Sequence, residues 1–342
     1  MRQKMLNLEG QRTESFMIKT IFNVHPYAME LPGGGEMQIM KYVQYMPGEC
    51  EVILHDIWRP RLREARIFHH FHMVSGAEGF LAYVKSLHSK VVLSPNLWIN
   101  ATNSENLDLA QIRQYYEIAD MIVCNSRVEI DNLSEFTDIP REKARVVPNG
   151  VDLSFVTPVS DSDFRSWADI RGPYLLSVGN IERRKNQLAS IRAARSLGLP
   201  LICIGRIREK EYFDACVRDG PGDTFRFVGH LDQDDPRLAA AYQNCEAFLF
   251  PGQLETPGIA ALEAAAAGAP VIITKEGSAR EYFSDLVEYV DPNDQDAINA
   301  ALARTLSRPR TNDLRHHIVS NYSWPHVVMH LLGHYLELGF NK

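Results

Sequence analysis

The sequence predicts an α/β protein of two doubly wound, Rossmann-like domains whose parallel sheets face a central cleft. Three observations predict it. Short apolar, β-branched runs alternate with helical stretches, the pattern of βαβ units with both sheet faces covered. The alternation comes in two successive series. The chain has 342 residues, 45% apolar and 23% charged, enough for about two domains of ordinary globular composition.

The first series of strand candidates is Ile18–Val24, Glu51–Leu54, Ile67–Phe71, Val91–Leu93, Met121–Cys124 and Ala144–Val147. The turn-rich segment Pro148-Asn149-Gly150-Val151-Asp152 closes it. Residues 153–171, with Pro158, Ser160, Asp161 and Ser162, read as a polar linker. The second series is Tyr174–Val178, Leu201–Ile204, Phe225–Val228, Ala247–Phe250, Val271–Thr274 and Glu288–Tyr289. The expected division is residues 1–165, residues 166–323 and a last helix over 324–342. The start of the chain, about 15 residues, reads as a polar, mobile extension.

Charge and cysteine usage exclude several classes. The net charge is −7 and neither half is basic, so a dedicated duplex nucleic-acid binder is not expected. Cys50, Cys124, Cys203, Cys216 and Cys245 are odd in number and far apart, which speaks against a disulfide framework and for a reducing cytoplasm. No apolar run approaches the ~18 residues of a spanning helix.

Five segments carry candidate chemistry. In Phe250-Pro251-Gly252-Gln253-Leu254-Glu255-Thr256-Pro257-Gly258-Ile259, a strand leads into an Ala-rich helix. Thr256 is the expected N-cap, Pro257 the first helical residue and Gly268 the C-cap. A helix N-terminus aimed at a strand-end cleft favours an anion such as a pyrophosphate. Glu263, about two turns into that helix, suits ribose hydroxyls; the bland reading of Glu255 and Glu263 is a cap and a solvated face. In Gly179-Asn180-Ile181-Glu182-Arg183-Arg184-Lys185, Arg184 and Lys185 bring positive charge to the same cleft, or sit at a solvated helix start.

Gly33, Gly34 and Gly35 follow the first strand, as a close-approach loop or a merely flexible one. His69, His70 and His72 follow or end the third strand. Strand alternation puts His70 and His72 on one face and His69 on the other; structural histidines are the bland reading, a sugar-hydroxyl contact the other. Arg59, Arg61, Arg63 and Arg66 form a solvated face or a site for anionic lipid or a phosphorylated acceptor.

Together these segments resemble the retaining, nucleotide-sugar-dependent glycosyltransferases of family 4, with the GT-B fold, over roughly residues 17–340. The most specific piece is the E-x7-E pattern from Glu255 to Glu263. Also in the family's order stand the glycines at 33–35, Ala119-Asp120 with Cys124-Asn125-Ser126, and Val147-Pro148-Asn149-Gly150-Val151-Asp152. Val178-Gly179 with Arg184-Lys185-Asn186, Phe227-Val228-Gly229-His230 and Tyr322-Ser323-Trp324 complete the set.

The resemblance implies that the C-terminal domain binds a UDP- or GDP-sugar and the N-terminal domain holds a saccharide or lipid-linked acceptor. Glu255 would face the transferred sugar, Glu263 the ribose, and Arg184 and Lys185 the diphosphate. Gly258 and Ile259 would offer backbone N–H groups, His230 would lie near the base, and Gly179 and Asn180 would border the donor. Gly34 and Gly35 would line the opposite wall. The last helix would return to the N-terminal domain through Leu331, Leu332, Tyr335 and Leu336.

Two departures stand out. Asn180 replaces the arginine of many members. Leu93-Ser94-Pro95-Asn96-Leu97 lacks their histidine, so Asn96 or one of His69–His72 is the candidate substitute. The implied activity is cytoplasmic hexosyl transfer in polysaccharide or glycolipid biosynthesis, needing no metal and no tightly bound cofactor, with peripheral contact at the inner membrane face. The competing reading is a catalytically impaired nucleotide-sugar sensor or partner subunit on the same fold.

Overall fold

The computed structural model describes residues 17–30, 32–73, 76–100 and 103–340. The expected N-terminal extension and Leu31 lie outside the described residues. The first sheet holds β1 (Ile18–Asn23), β2 (Cys50–Leu54), β3 (Ile67–Phe71), β4 (Lys90–Ser94), β5 (Met121–Cys124) and β6 (Ala144–Val146), in the order β2-β1-β3-β4-β5-β6. The second holds β7 (Leu175–Val178), β8 (Leu201–Ile204), β9 (Phe225–Phe227), β10 (Ala247–Phe250), β11 (Val271–Thr274) and β12 (Glu288–Val290), in the order β12-β11-β10-β7-β8-β9. Every pairing is parallel.

The strands read as near-continuous apolar runs because helices cover both faces. In β7, Leu175 packs with Ala247, Leu249 and Ile272 on one face. Its neighbour Leu176 packs with Phe248, Phe250 and Ile273 on the other. All five cysteines are free and buried in this packing.

Strand order sets where a ligand goes. It reverses between β1 and β3 in the first sheet and between β7 and β10 in the second. Crossovers leave such neighbours in opposite directions, so a crevice opens at their carboxyl ends. The two crevices meet in one cleft.

The chain crosses between the sheets at two adjacent places. Val151 N donates to Tyr322 O at 2.8 Å, and Trp324 N to Val151 O at 3.1 Å. A Cβ on Gly150 would stand 2.6 Å from the Trp324 ring, so the close approach requires glycine. Beyond it, the helix Trp324–Phe340 packs on the first sheet. Val327, Val328, Leu331, Leu332 and Tyr335 are buried there with Ile18, Phe22 and Phe71, and Leu336 packs beside them.

The stretch 153–171 is not a linker. It forms a 3₁₀ turn, Leu153–Val156, and a helix, Ser162–Ala168. Phe155 meets Tyr242 edge-on, and Phe164 packs against Tyr174. Two buried aromatics anchor a segment whose polar residues face water.

Candidate active site

A cleft of about 820 Å³ runs between the sheets, lined from both sides. On the second-sheet side, three strand-end glycines stack. Gly179 follows β7, Gly205 follows β8 and Gly229 lies beyond β9. Gly179 N donates to Ile204 O at 2.9 Å and Gly205 N to Gly229 O at 2.8 Å. A Cβ on Gly205, at φ +155°, would meet Gly179 O at 1.9 Å. Only glycine lets these backbones approach so closely.

The carboxylate of Glu255 sits in a tight turn beyond β10. Gly277 bridges its backbone, and a Cβ on Gly258 would lie 2.9 Å from Glu255 Oε2. Lys185 Nζ reaches both Glu255 oxygens, at 2.7 and 2.9 Å, and lies 4.4 Å from the centre of the Phe250 ring. Arg184 stands 3.7 Å from Glu255 Oε1, donates to Leu254 O, and pairs with Glu182. The Arg184 side chain stays half exposed while Lys185 is largely covered. Burial lowers the Lys185 pKa, against the raising effect of Glu255. The second-sheet wall gains further positive charge from Arg206 and Arg208.

The helix after this turn is Ile259–Ala267, with Gly258 as N-cap at φ +84° and Gly268 at its C-cap. This corrects the expected start: Thr256 and Pro257 precede the helix, because the turn that brings Glu255 inward needs the positive φ of Gly258. Glu263 is buried on that helix rather than on a solvated face. Gln233 Nε2 donates to its Oε1 at 2.6 Å, and Tyr242 O–H to its Oε2 at 2.8 Å. Burial pushes Glu263 up to about 7. His230 is exposed at the cleft edge, 3.2 Å from Asp232.

On the first-sheet side, Gly34 and Gly35 form the first turn of the helix Gly34–Tyr45 rather than a loop, with Gly33 as N-cap. Gly33 N donates to Glu36 Oε2 at 2.7 Å. A Cβ on Gly34 would lie 4.0 Å from Ile259 Cδ1, so two helix N-termini face each other across the cleft. A Cβ on Gly35 would meet His72 Nε2 at 2.5 Å and Asn96 Nδ2 at 3.3 Å.

Asn96, at φ +46°, accepts from Asn125 Nδ2 at 3.1 Å, and its own Nδ2 is buried without a partner among the described residues. Gln38 donates to Asn125 Oδ1 at 2.6 Å, and Asn125 N donates to Glu129 Oε2 at 2.6 Å. Burial pushes Glu129 up to about 7. Lys41 pairs with Asp152 at 2.8 Å.

His70 does not line the cleft. It is buried within β3, stacked parallel to Tyr115 and 2.8 Å from Asn23 Nδ2, and burial lowers its pKa to about 4. Nor do His70 and His72 share a strand face, because β3 ends at Phe71 and His72 turns out at φ +69°. His69 faces the last helix, with Nδ1 2.5 Å from Tyr335 Oη. The sugar-, donor- and glycine-loop candidates other than His69 and His70 line the cleft, while Arg59, Arg61, Arg63 and Arg66 lie outside it.

Gln38, Glu129 and Gln233 escaped the sequence reading. They join across gaps that no local spacing signals. Among the described residues, His25, Glu36 and His72 form the one group whose ligand atoms lie within 4.8 Å of one another, as a cation would need. Glu36 already serves as the cap of Gly33.

Residues from the two sheets also lock together beside the cleft. Glu281 accepts from Arg127 N at 3.0 Å and Val128 N at 3.1 Å, the first turn of the helix Arg127–Thr137. Tyr282 Oη accepts from Asn149 N at 3.0 Å and donates to Asn125 O.

Comparison with known proteins agrees with the fold. Residues 161–322 match the family described as glycosyl transferases group 1, and residues 45–155 match glycosyltransferase family 4. The fold is the GT-B fold, and the two matches make the chain glycosyltransferase group 1-like over residues 161–322 and family-4-like over residues 45–155.

A D-inositol 3-phosphate glycosyltransferase of Salinispora arenicola is 30% identical over 64% of this chain and 55% of its own length. A glycogen synthase of Mycobacterium tuberculosis is 25% identical over 79% of this chain and 67% of its own. The chain thus spans between half and two thirds of these relatives. Among solved structures, sucrose-phosphate synthase from Thermosynechococcus elongatus superposes with a TM-score of 0.76 at 19% identity, covering 94% of this chain and 99% of that one. Anabaena HepE in complex with UDP gives 0.75 at 14% identity, covering 94% and 100%. Both share the fold.

Proposed function

We propose that the chain transfers a hexosyl group from a UDP- or GDP-sugar to a saccharide or lipid-linked acceptor, with retention at the anomeric carbon. One observation carries the reading. Two buried carboxylates, Glu255 and Glu263, flank a helix N-terminus at the β7/β10 switch point, and Lys185 and Arg184 stand against the first of them. The UDP bound by the Anabaena neighbour favours a uridine donor.

In this reading residues 166–323 hold the donor and residues 1–165 the acceptor. Ribose hydroxyls take the place of the Gln233 amide on Glu263, with His230 near the base. The diphosphate lies between Arg184, Lys185 and the N–H groups of Gly258 and Ile259, beside Gly179 and Asn180. The bond from the anomeric carbon to the phosphate oxygen breaks, and the acceptor oxygen bonds that carbon from the same face. The departing phosphate takes the acceptor proton. Fixed positive charge and helix N–H groups stabilise the leaving diphosphate, so no metal is needed. Glu255 faces the sugar, while His72 and Asn96 contact it or the acceptor from the other wall. The reaction belongs to polysaccharide or glycolipid assembly on the cytoplasmic side.

The test is incubation with radiolabelled sugar nucleotides and lipid or saccharide acceptors. Transfer or slow donor hydrolysis supports the reading; neither, from folded protein, refutes it. Nδ2 of Asn96, without a partner among the described residues at a position where the resemblance implies a histidine, favours a second reading as a donor-binding sensor. Donor binding without turnover, unchanged by Glu255→Ala, would support that one instead.

A further inference from the structure

The loop that follows β2 is not used by the site described above, and its tip is unusual. Trp58 is 87% exposed and Ile57 70% exposed, with Leu54 exposed at their base. The tip is held out by a turn: Asp56 Oδ1 accepts from Trp58 N at 2.8 Å, and Asp56 O accepts from Arg59 N at 3.1 Å. An Ile-Trp pair ordered into solvent by its own backbone is not a side chain left over from packing.

The charge around the tip is opposite to that of the molecule. The chain carries −7, yet residues 55–66 hold Arg59, Arg61, Arg63 and Arg66 against Asp56 and Glu64. Arg61 is tied to Glu64 by two hydrogen bonds. Arg59 and Arg63 are exposed and make no ion pair among the described residues.

Position adds a third point. β2 is the edge strand of the first sheet, and the loop leaves its carboxyl end, the end at which the cleft opens. The neighbouring loop after β1 carries the exposed Tyr27 and Met29. The two loops are joined at the root, where His55 N donates to Phe22 O at 2.9 Å and His55 Nδ1 lies 2.7 Å from Asn23 Oδ1.

We infer that this rim docks on an anionic lipid bilayer. Trp58 and Ile57 enter the headgroup layer, where indole rings are favoured. Arg59 and Arg63 meet lipid phosphates, an attraction worth about 1 kcal/mol per basic residue near an anionic surface. Scattered exposed apolar residues are ordinary; a turn-held Ile-Trp tip with two uncommitted arginines on an acidic protein has charge complementarity to this surface. Docking sets the first-sheet end of the cleft against the bilayer. The inference does not depend on sugar transfer, and its test does not read activity.

The experiment is co-sedimentation of the full chain with vesicles of phosphatidylcholine alone and of phosphatidylcholine mixed with phosphatidylglycerol. Wild type is expected to sediment with the anionic vesicles, not with the neutral ones, and to be released by high salt. Trp58→Ala is expected to lower the partition roughly tenfold. The pair Arg59→Gln with Arg63→Gln is expected to lower it by at least roughly tenfold. All these side chains are exposed, so the melting temperature should hold, and circular dichroism checks the fold. Absence of binding to anionic vesicles overturns the inference, as does binding untouched by both variants. A wild-type dimer that Trp58→Ala converts to monomer, with no vesicle binding, would assign the patch to a second copy and also overturn it.

Discussion

Lys185 Nζ sits 2.7 and 2.9 Å from the two oxygens of Glu255, in a pocket closed by the Phe250 ring. Glu255 is 3% exposed, so the pair is desolvated. Removing one partner of such a pair strands the other charge. Lys185→Ala should therefore destabilise the fold by about 3 kcal/mol, and the double variant Lys185→Ala/Glu255→Ala by less than that. Denaturant unfolding of the two variants checks this; equal or additive losses would contradict it.

The same lysine carries the proposed chemistry. Where charge builds on a leaving diphosphate, losing one fixed donor costs about 10²–10³ in rate. Lys185→Ala and Arg184→Ala should each show this in kcat for sugar transfer. A loss confined to KM would mean that these groups only bind the donor.

Glu263 gives a pH prediction. Burial holds its pKa near 7, above the 4.5 of a free carboxyl. The folded chain thus holds this proton more tightly than the unfolded chain does. Stability from the group is fully present below about 4.5 and lost as pH rises to about 7. Glu263→Gln removes the titration. The melting-temperature difference, variant minus wild type, should climb across that window and level off above it. A flat difference curve would show that Glu263 titrates normally.

Gly205 tests the stacked loops. Gly205→Ala would drive a methyl into Gly179 O at a φ of +155°. It should cost at least about 2 kcal/mol and weaken nucleotide binding. Gly172→Ala has no atom within 4 Å and serves as control; its effect should stay within about 0.5 kcal/mol.

Chelation bears on the metal-free mechanism. Transfer should persist unchanged after treatment with EDTA. If activity is lost and a divalent cation restores it, His25, Glu36 and His72 become the residues to replace first.

The inner strands were the most legible because they are buried on both faces, and β3, β5, β8, β10 and β11 match their expected bounds. Glu255 and Glu263 were legible because the βα unit after β10 fixes their spacing, and Lys185 because it follows β7 in a second βα turn. The misreadings share a cause. Alternation cannot say which face of a doubly covered strand meets the cleft, so His70 stayed open between a sugar contact and a structural histidine; it stacks on Tyr115. The turn at Gly258 displaced the helix start from Pro257. Gln38 and Asn125 lie 87 residues apart, and Gln233 and Glu263 lie 30 apart; only the fold brings them together.

The central claim is that the β7/β10 crevice binds a nucleoside diphosphate between Lys185 and the helix at Ile259. Titration calorimetry of UDP, GDP and ADP into wild type and Lys185→Ala tests it most directly. The account predicts that one nucleotide binds wild type, and that the variant, shown to be folded, binds it at least about tenfold more weakly. Failure of all three to bind folded wild type, or equal affinity for the variant, would contradict it.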